Sequence, residues 1–401
     1  MSPLSVFYST VYALGICITG YFFCLAILAI PFFQNQVIYL HSVTLTWFQD
    51  VTVPEQWGFL RNQVSPFTLK TADRVTLQAW HILPLELYRQ HEEELVKELD
   101  GNSTDIAKRL GFRLLHDDPE SLLVLYLHGA AGTLGSGWRP PSYRAMSAGA
   151  PGRIHTVAID YRGFGTSGGS PSEEGLLIDA LALVDWAIKE AGIPPSRIVI
   201  FGQSIGTAVG ASLVRHLAAQ PDPVLFAGIV FVAPFADVEM LTATYRVAGT
   251  IPLLGPLARF PRLLAFFNNF IVSKWPSKEN LAAFVRQCEE MSGNDQKYHI
   301  TIIHAQDDYD IPWSHSDQMF WHAVRATRPD DITFEELEEE KEQTKKSLGP
   351  ASWVVEHQTS KGTIREEITK WGLHDRIMSY PVVSLAVLRA FQSRENLGSE
   401  A

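Results

Sequence analysis

A serine hydroxyl attacks an ester carbonyl only when a base takes its proton, an acid orients that base and N–H donors hold the oxyanion. The 401-residue chain offers a residue for each part. In IVIFGQSIGTAVG (198–210), Ser204 stands between Gly202 and Gly206, after a β-branched apolar block and before a run of small residues. A lone Gly-x-Ser-x-Gly arises by chance, so its surroundings decide. A buried strand ending at Gly202 and a helix starting at Ile205 make a nucleophile elbow, in which glycines let strand and helix close up. The helix N-terminus then favours negative charge at Ser204. Ser204 is the expected nucleophile.

On this kind of sheet the acid and the base follow the serine in that order. The apolar run ITIIHA (300–305) ends in Gln306-Asp307-Asp308-Tyr309-Asp310-Ile311-Pro312. Carboxylates at the C-terminal end of a strand sit where such sheets open their ligand crevice. Asp308 is preferred to Asp307 and Asp310 because it begins the Asp-x-x-Ile-Pro turn, and Asp237 after FAGIVFVAP is the fallback. A metal cluster is the competing reading of these carboxylates. No His or Glu spacing supports it, so neither a metal nor another cofactor is expected. Of 13 histidines, His315, His322, His357 and His374 follow Asp308. The first two fall in a helical pattern and His357 in a hairpin pattern. His374, in WGLHDRIMSYPVV, lies between the last strand and the C-terminal helix, where a loop can carry it over Ser204.

Oxyanion donors are expected from YLHGAAGTLGSG (126–137), with the Ala130 N–H paired with that of Ile205. The plain alternative is a glycine loop that only turns the chain. His155-x-x-x-x-Asp160 has the letters of an acyltransferase motif. It falls within a strand, where the two side chains face opposite ways, and is read as chance.

These side chains need a scaffold. LLVLYLH, IHTVAID, IVIFG, FAGIVFV and ITIIHA are continuous apolar runs separated by helix-sized segments, and TIREEITKW (363–371) supplies a last strand. Runs without alternation suit strands buried on both faces, hence an α/β protein with a mainly parallel sheet. Residues 67–84 alternate around Ala72-Asp73 and predict a β-hairpin. Two segments interrupt the rhythm. About 241–284 is rich in Leu and Phe with Pro252, Pro256 and Pro261, and predicts a helical cap. The charge run 330–346, inside an insertion at about 328–362, predicts a solvated surface helix or loop.

The formal net charge of −11 leaves no basic stripe for nucleic acid and no polybasic patch for anionic lipid. Cys17, Cys24 and Cys288 define no disulfide framework. No charged side chain precedes Asp50, and VYALGICITGYFFCLAILAIPFF (11–33) is long enough to cross a hydrocarbon core as a helix. A signal peptide would want a basic start and a shorter apolar run; a core helix would want a polar face. Residues 1–40 are therefore expected as a transmembrane anchor, 41–66 as a linker and 67–395 as the catalytic domain. The sequon Asn102-Ser103-Thr104 permits glycosylation in a lumen.

HGAAG, DYRGFGTSGGSPSEEG, GQSIG, HAQDDYDIP and GLHD follow one another in order. With these landmarks the chain resembles the α/β-hydrolase-fold serine hydrolases, most closely the membrane-anchored ABHD-type lipases of monoacylglycerols and lysophosphatidylserine. Similarity runs over roughly residues 67–395 and extends to the anchor. The resemblance implies an α/β-hydrolase fold with helices on both faces, a cap and one N-terminal membrane helix. It implies hydrolysis of lipid carboxylic esters through an acyl-enzyme on Ser204, Asp308 and His374. A single-pass protein of the endoplasmic reticulum is expected, with a lumenal or a cytosolic catalytic domain, since neither flank of the anchor carries Lys or Arg until Arg61. That family has Asn after the His-Gly of the oxyanion loop, where this chain has Ala130. A backbone donor survives this change; a side-chain donor does not. An acyl-protein thioesterase or acyltransferase using the same residues, and a non-catalytic tethered binding protein, are the alternatives.

Overall fold

The computed structural model describes residues 3–247, 250–252, 254–291, 297–328 and 332–398. In chain order its strands are β1 (Val64–Lys70), β2 (Thr76–Ile82), β3 (Leu122–Leu127), β4 (Ile154–Ile159), β5 (Ile198–Gln203) and β6 (Gly228–Val232). There follow β7 (Arg246–Val247), β8 (Ile251–Pro252), β9 (Tyr298–Ala305), β10 (Lys346–Gly349), β11 (Ser352–Gln358) and β12 (Gly362–Thr369). Ten of them form one sheet in the order β1-β2-β4-β3-β5-β6-β9-β12-β11-β10, while β7 and β8 pair apart as a short ribbon. The run from β4 to β12 is parallel throughout. Antiparallel pairs close both ends of the sheet.

The apolar runs go to the centre for the expected reason. Every residue of β3, β4, β5 and β6 is buried. Successive side chains of a strand point to opposite faces. Leu123, Leu125 and Leu127 thus join one core with Ala208, Val209 and Leu213 of the helix Ile205–Ala218. Val124 and Tyr126 join the other with Val383, Val387 and Ala390 of the C-terminal helix Pro381–Gly398.

Strand order reverses at β3. From β3 the chain crosses outward to β4, whereas from β5 it crosses the other way to β6. The loops leaving β3 and β5 therefore diverge and open a crevice at their carboxyl ends, the ligand position of open α/β sheets. Segments 128–137, Ser204, 306–312 and 370–375 all leave strand ends at this edge.

Several expectations change in detail. The first strand of the hairpin starts at Val64, inside the stretch expected as a linker. That stretch is built into the body: Val51 and Phe59 belong to one core cluster. Just before it, Tyr39 is fully buried in the other. Residues 277–284, expected within the cap, belong to a helix, Ser277–Glu290, that packs beside the helix Ile205–Ala218. Asn280 accepts from Arg215 at 2.6 Å and donates to Ser212 at 3.0 Å across that contact. Of the rest of that segment, the helix Val238–Thr244 lines the Ser204 cavity through Val238, Leu241 and Thr242, and the ribbon β7–β8 and the helices Gly255–Ala258 and Pro261–Asn268 follow it. Part of the charge run, Asp330 and Asp331, lies outside the described residues. The remainder forms the capped helix Phe334–Thr344 and the edge strand β10. Its Lys341 is not solvated; it is buried.

The N-terminal helix Pro3–Leu28 has 26 residues, with Leu25 its one buried residue. At 1.5 Å per residue it spans about 39 Å, against about 30 Å of bilayer hydrocarbon. Its most apolar window has a mean hydropathy of 2.2. It is long and apolar enough to cross a membrane.

Candidate active site

Ser204 takes φ 53° and ψ −121°, a region costly for any residue with a Cβ. Neighbouring groups hold it there. Its N–H donates to Val232 O at 3.1 Å. Its carbonyl accepts from the Thr207 N–H at 2.9 Å and from the Thr207 hydroxyl at 2.6 Å. The flanking glycines are sterically required. A Cβ on Gly206 would lie 2.0 Å from Leu127 O, and one on Gly202 would lie 2.6 Å from Gly206 O.

Asp308 is buried at the end of β9 and receives a donor on each lone-pair side. Oδ1 accepts the N–H groups of Asp310 (3.0 Å) and Ile311 (2.9 Å). Oδ2 accepts from His374 Nδ1 at 2.7 Å and from His304 Nε2 at 3.0 Å. His304 Nε2 also lies 3.0 Å from Ile311 O, so this nitrogen faces two acceptors and must carry the proton. His304 Nδ1 then accepts from Ser316 Oγ at 2.7 Å.

The loop carrying His374 is tied down on either side. Leu373 N–H donates to Asp307 Oδ1 at 2.8 Å. Gln203, the residue before Ser204, donates to His374 O at 3.3 Å and to Asp375 Oδ1 at 3.2 Å. The elbow thus holds the backbone of the histidine loop directly. Ser204, His374, Ala130 and Ile205 line one cavity of about 230 Å³.

The other sequence candidates have different partners. Asp237 caps the helix Val238–Thr244 through Met240 N–H and pairs with Lys278. His315 accepts from Ala236 N–H and contacts the Thr244 hydroxyl at 2.8 Å, while His357 contacts Thr327 at 2.9 Å. His322 stacks edge-on against Trp321. Asp310 lines the cavity, and its charge adds to that of Asp308 in raising the His374 pKa. His155 stacks on His81, whereas Asp160 faces His128, so the acyltransferase-like spacing forms no unit.

The loop after β3 is organised by Arg139. Its guanidinium donates to the carbonyls of Gly129 (2.8 Å), Ala130 (3.2 Å), Ala131 (2.6 Å) and Thr133 (2.6 Å). In a trans peptide C=O and N–H point oppositely. Turning Gly129 O toward Arg139 therefore turns the Ala130 N–H away from it. A Cβ on Gly129 would lie 3.2 Å from Ser204 Cβ, so this peptide backs directly onto the serine. The next donors are used by the segment that follows the anchor: Ala131 N–H bonds Tyr39 O at 2.9 Å and Gly132 N–H bonds Val43 O at 2.6 Å.

A family model described as the alpha/beta hydrolase family matches residues 124–337, more than half of the chain. The chain belongs to the alpha/beta hydrolase family. Among its relatives, lysophosphatidylserine lipase ABHD12 of Mus musculus is 28% identical over 305 residues, covering 74% of this chain and 66% of that protein. The Danio rerio protein of the same name is 26% identical over 296 residues, covering 74% of this chain and 68% of its own. The match spans about two thirds of the length of these relatives. An alpha-beta hydrolase from Vibrio vulnificus, known from its crystal structure, aligns over 92% of both chains with TM-score 0.51 and 16% identity. That likeness is one of fold.

In this alpha/beta hydrolase the electrostatics of the histidine are set by a contest. Burial disfavours the His374 imidazolium, but the charge and hydrogen bond of Asp308, with Asp375 and Asp310 adding, outweigh it and hold its pKa at about 9. Burial works against the Asp308 carboxylate too, and the two imidazoles beside it keep it below the usual carboxylate range. Three residues that shape the site were not singled out in the sequence: Arg139, His304 and Gln203. His304 had one local signal, an ionisable ring near the C-terminal end of a strand whose preceding residues Ile302 and Ile303 are apolar. Arg139 had none, because its four acceptors are set by the loop conformation.

Proposed function

We propose that the protein is a membrane-anchored serine hydrolase of lipid carboxylic esters, of monoacylglycerol or lysophospholipid type. The observation that carries this is the Asp308–His374 hydrogen bond beside the strained Ser204, in a cavity shared with Ala130 and Ile205. Ser204 Oγ attacks the ester carbonyl and His374 Nε2 takes its proton. Asp308 orients the imidazole and stabilises its charge. The N–H groups of Ala130 and Ile205 hold the oxyanion, where losing one such donor typically costs about 3 kcal/mol of barrier. The alcohol leaves with the proton from His374, and water repeats the sequence on the acyl-enzyme.

Two things support a lipid ester. The cavity has apolar walls from Val37, Ile38, Phe235 and Leu241, and relatives carry the name lysophosphatidylserine lipase. Purified full-length protein in mixed micelles is offered oleoyl monoacylglycerol, oleoyl lysophosphatidylserine, a palmitoyl thioester and a soluble short ester. The lipid esters are turned over with the highest kcat/KM; a clear preference for the thioester or the short ester contradicts the reading. We further place the catalytic body in the lumen of the endoplasmic reticulum, supported by the exposed sequon residue Asn102. Glycosidase treatment of microsomal protein then lowers its mass at Asn102, whereas an unmodified Asn102 argues for the other side.

A further inference from the structure

In an ester held at Ser204, the alcohol half must lie beside His374, because His374 hands it the proton with which it leaves. The side chains next to that ring therefore meet the head group of the substrate. Two of them are carboxylates that take no part in the proton transfers. Asp375 directly follows His374, and its Oδ1 accepts from Gln203 at 3.2 Å, which ties it to the residue before Ser204. Asp310 stands two positions after Asp308, and both Asp310 and Asp375 line the Ser204 cavity.

Their charge is felt across the cavity. Asp375 and Asp310 add to Asp308 in raising the His374 pKa. They also add to the burial that pushes the phenol of Tyr245, another lining residue, up to about 12. No Lys or Arg answers them: among the described residues, none lines the cavity. The arginines of the neighbouring segments are engaged or stand outside it. Arg139 donates to four carbonyls of the loop after β3, and Arg376 lies over the Trp138 ring at 4.9 Å. Arg246, whose N–H bonds Asp310 O at 3.3 Å, is exposed and not part of the lining. When His374 is neutral and able to act as the base, the charges that face the alcohol are negative.

We propose that Asp310 and Asp375 select the head group at the Ser204 site, admitting esters of neutral or cationic alcohols and rejecting those whose alcohol bears a phosphate or a carboxylate. The inference rests on the lipid-ester reading above and decides between its two substrate types, in favour of the monoacylglycerol. The two free hydroxyls of a glycerol monoester donate to the carboxylates in charge-assisted hydrogen bonds. A phosphodiester brings a charge of the same sign, and like charges set against each other exclude the wrong partner. At physiological salt the screening length is about 8 Å, so a head group inside the cavity is little shielded from either carboxylate.

Full-length protein in non-ionic micelles is offered oleoyl esters of glycerol (neutral), choline (cationic) and glycerophosphoserine (anionic). The neutral and cationic esters have a kcat/KM about tenfold or more above that of the anionic ester. Raising the ionic strength from about 0.01 M to about 1 M shortens the screening length from about 30 Å to about 3 Å and narrows that gap. In the double variant Asp310→Asn/Asp375→Asn, the ratio of anionic to neutral kcat/KM rises about tenfold. A ratio cancels the loss that both substrates share when the His374 pKa falls. A wild type that cleaves the anionic ester as well as the neutral one overturns the proposal, and so does an active double variant with an unchanged ratio. Should the double variant be inactive or unfolded, the salt dependence of the wild-type ratio decides: a narrowing gap upholds the proposal and a constant one overturns it. A wild type that cleaves none of the oleoyl esters fails the lipid-ester reading, and butyryl esters of choline and of glycolate then test the charge selection separately. Faster cleavage of the choline ester upholds it; equal rates or the reverse order overturn it.

Discussion

In Asp308→Asn protein, kcat on a soluble short ester falls by about 10⁴-fold, the scale expected when the imidazole is held in the wrong tautomer. The reason lies in the four donors that converge on this carboxylate. An Asn keeps one acceptor oxygen and replaces the other with an NH₂. If nitrogen takes the Oδ2 position it faces His374 Nδ1 and His304 Nε2; if it takes Oδ1 it faces two backbone N–H groups. Either way two donors confront a donor. The pH profile supplies a second readout. His374 has its pKa held at about 9, and the neutral imidazole is the base, so wild-type kcat/KM rises as pH increases toward that value. With Asp308 neutralised, burial is the largest remaining influence and it lowers the pKa, so the rising limb of the residual activity moves to lower pH. A loss smaller than about tenfold, or a limb that stays in place, contradicts the assigned role.

Lys341→Met destabilises the protein by about 3–5 kcal/mol, the usual cost of leaving a buried counter-charge without its partner. The Lys341 ammonium sits 2.7 Å from Asp317, 2.8 Å from Glu366 and 2.9 Å from Glu338. It also lies over the rings of Phe320 and Trp353, at 5.6 and 5.2 Å. Burial drives the Glu366 carboxyl up to about 8 and raises that of Asp317, while the carboxylates hold the lysine pKa above its ordinary value against its own burial. Removing the cation leaves two buried carboxylates facing each other on the helix Ser314–Arg325 and β12. Urea unfolding of the full chain in detergent measures the loss. Glu366→Gln added to Lys341→Met recovers part of it by replacing the buried carboxyl that faces Asp317 with a permanently neutral amide. A single-variant loss below about 1 kcal/mol places the cluster with weak surface pairs and overturns this account.

That lysine also shows where reading the sequence stops. TFEELEEEKEQTKK has the composition of a solvated helix, and its capping box at Thr333 and Glu336 is visible in the letters. Its buried partners Asp317 and Glu366 lie 24 and 25 positions away, on a helix and a strand that meet it only after the sheet is formed. The elbow is the opposite case. Strand, Gly-x-Ser-x-Gly and helix are adjacent in sequence, so local sterics alone define Ser204. Asp308 and His374 were accessible because the fold orders its strand ends, and each follows a recognisable apolar run. Arg139 was not accessible, since nothing local marks an arginine whose acceptors are four carbonyls of a loop. The linker reading failed for a related reason. Residues 41–66 look like connecting chain, yet the carbonyls of Val43 and Thr44 satisfy the loop after β3, a contact that no side-chain pattern reports.

The central claim is that Ser204 is an activated nucleophile, and one measurement tests it most directly. Full-length protein in membranes is treated with a fluorophosphonate probe, which traps serines activated by a neighbouring base, and the adduct is mapped by mass spectrometry. The account predicts labelling of the wild type at Ser204 and none in Ser204→Ala protein. A folded wild type that takes up no probe, or a Ser204→Ala protein that labels equally well, contradicts it.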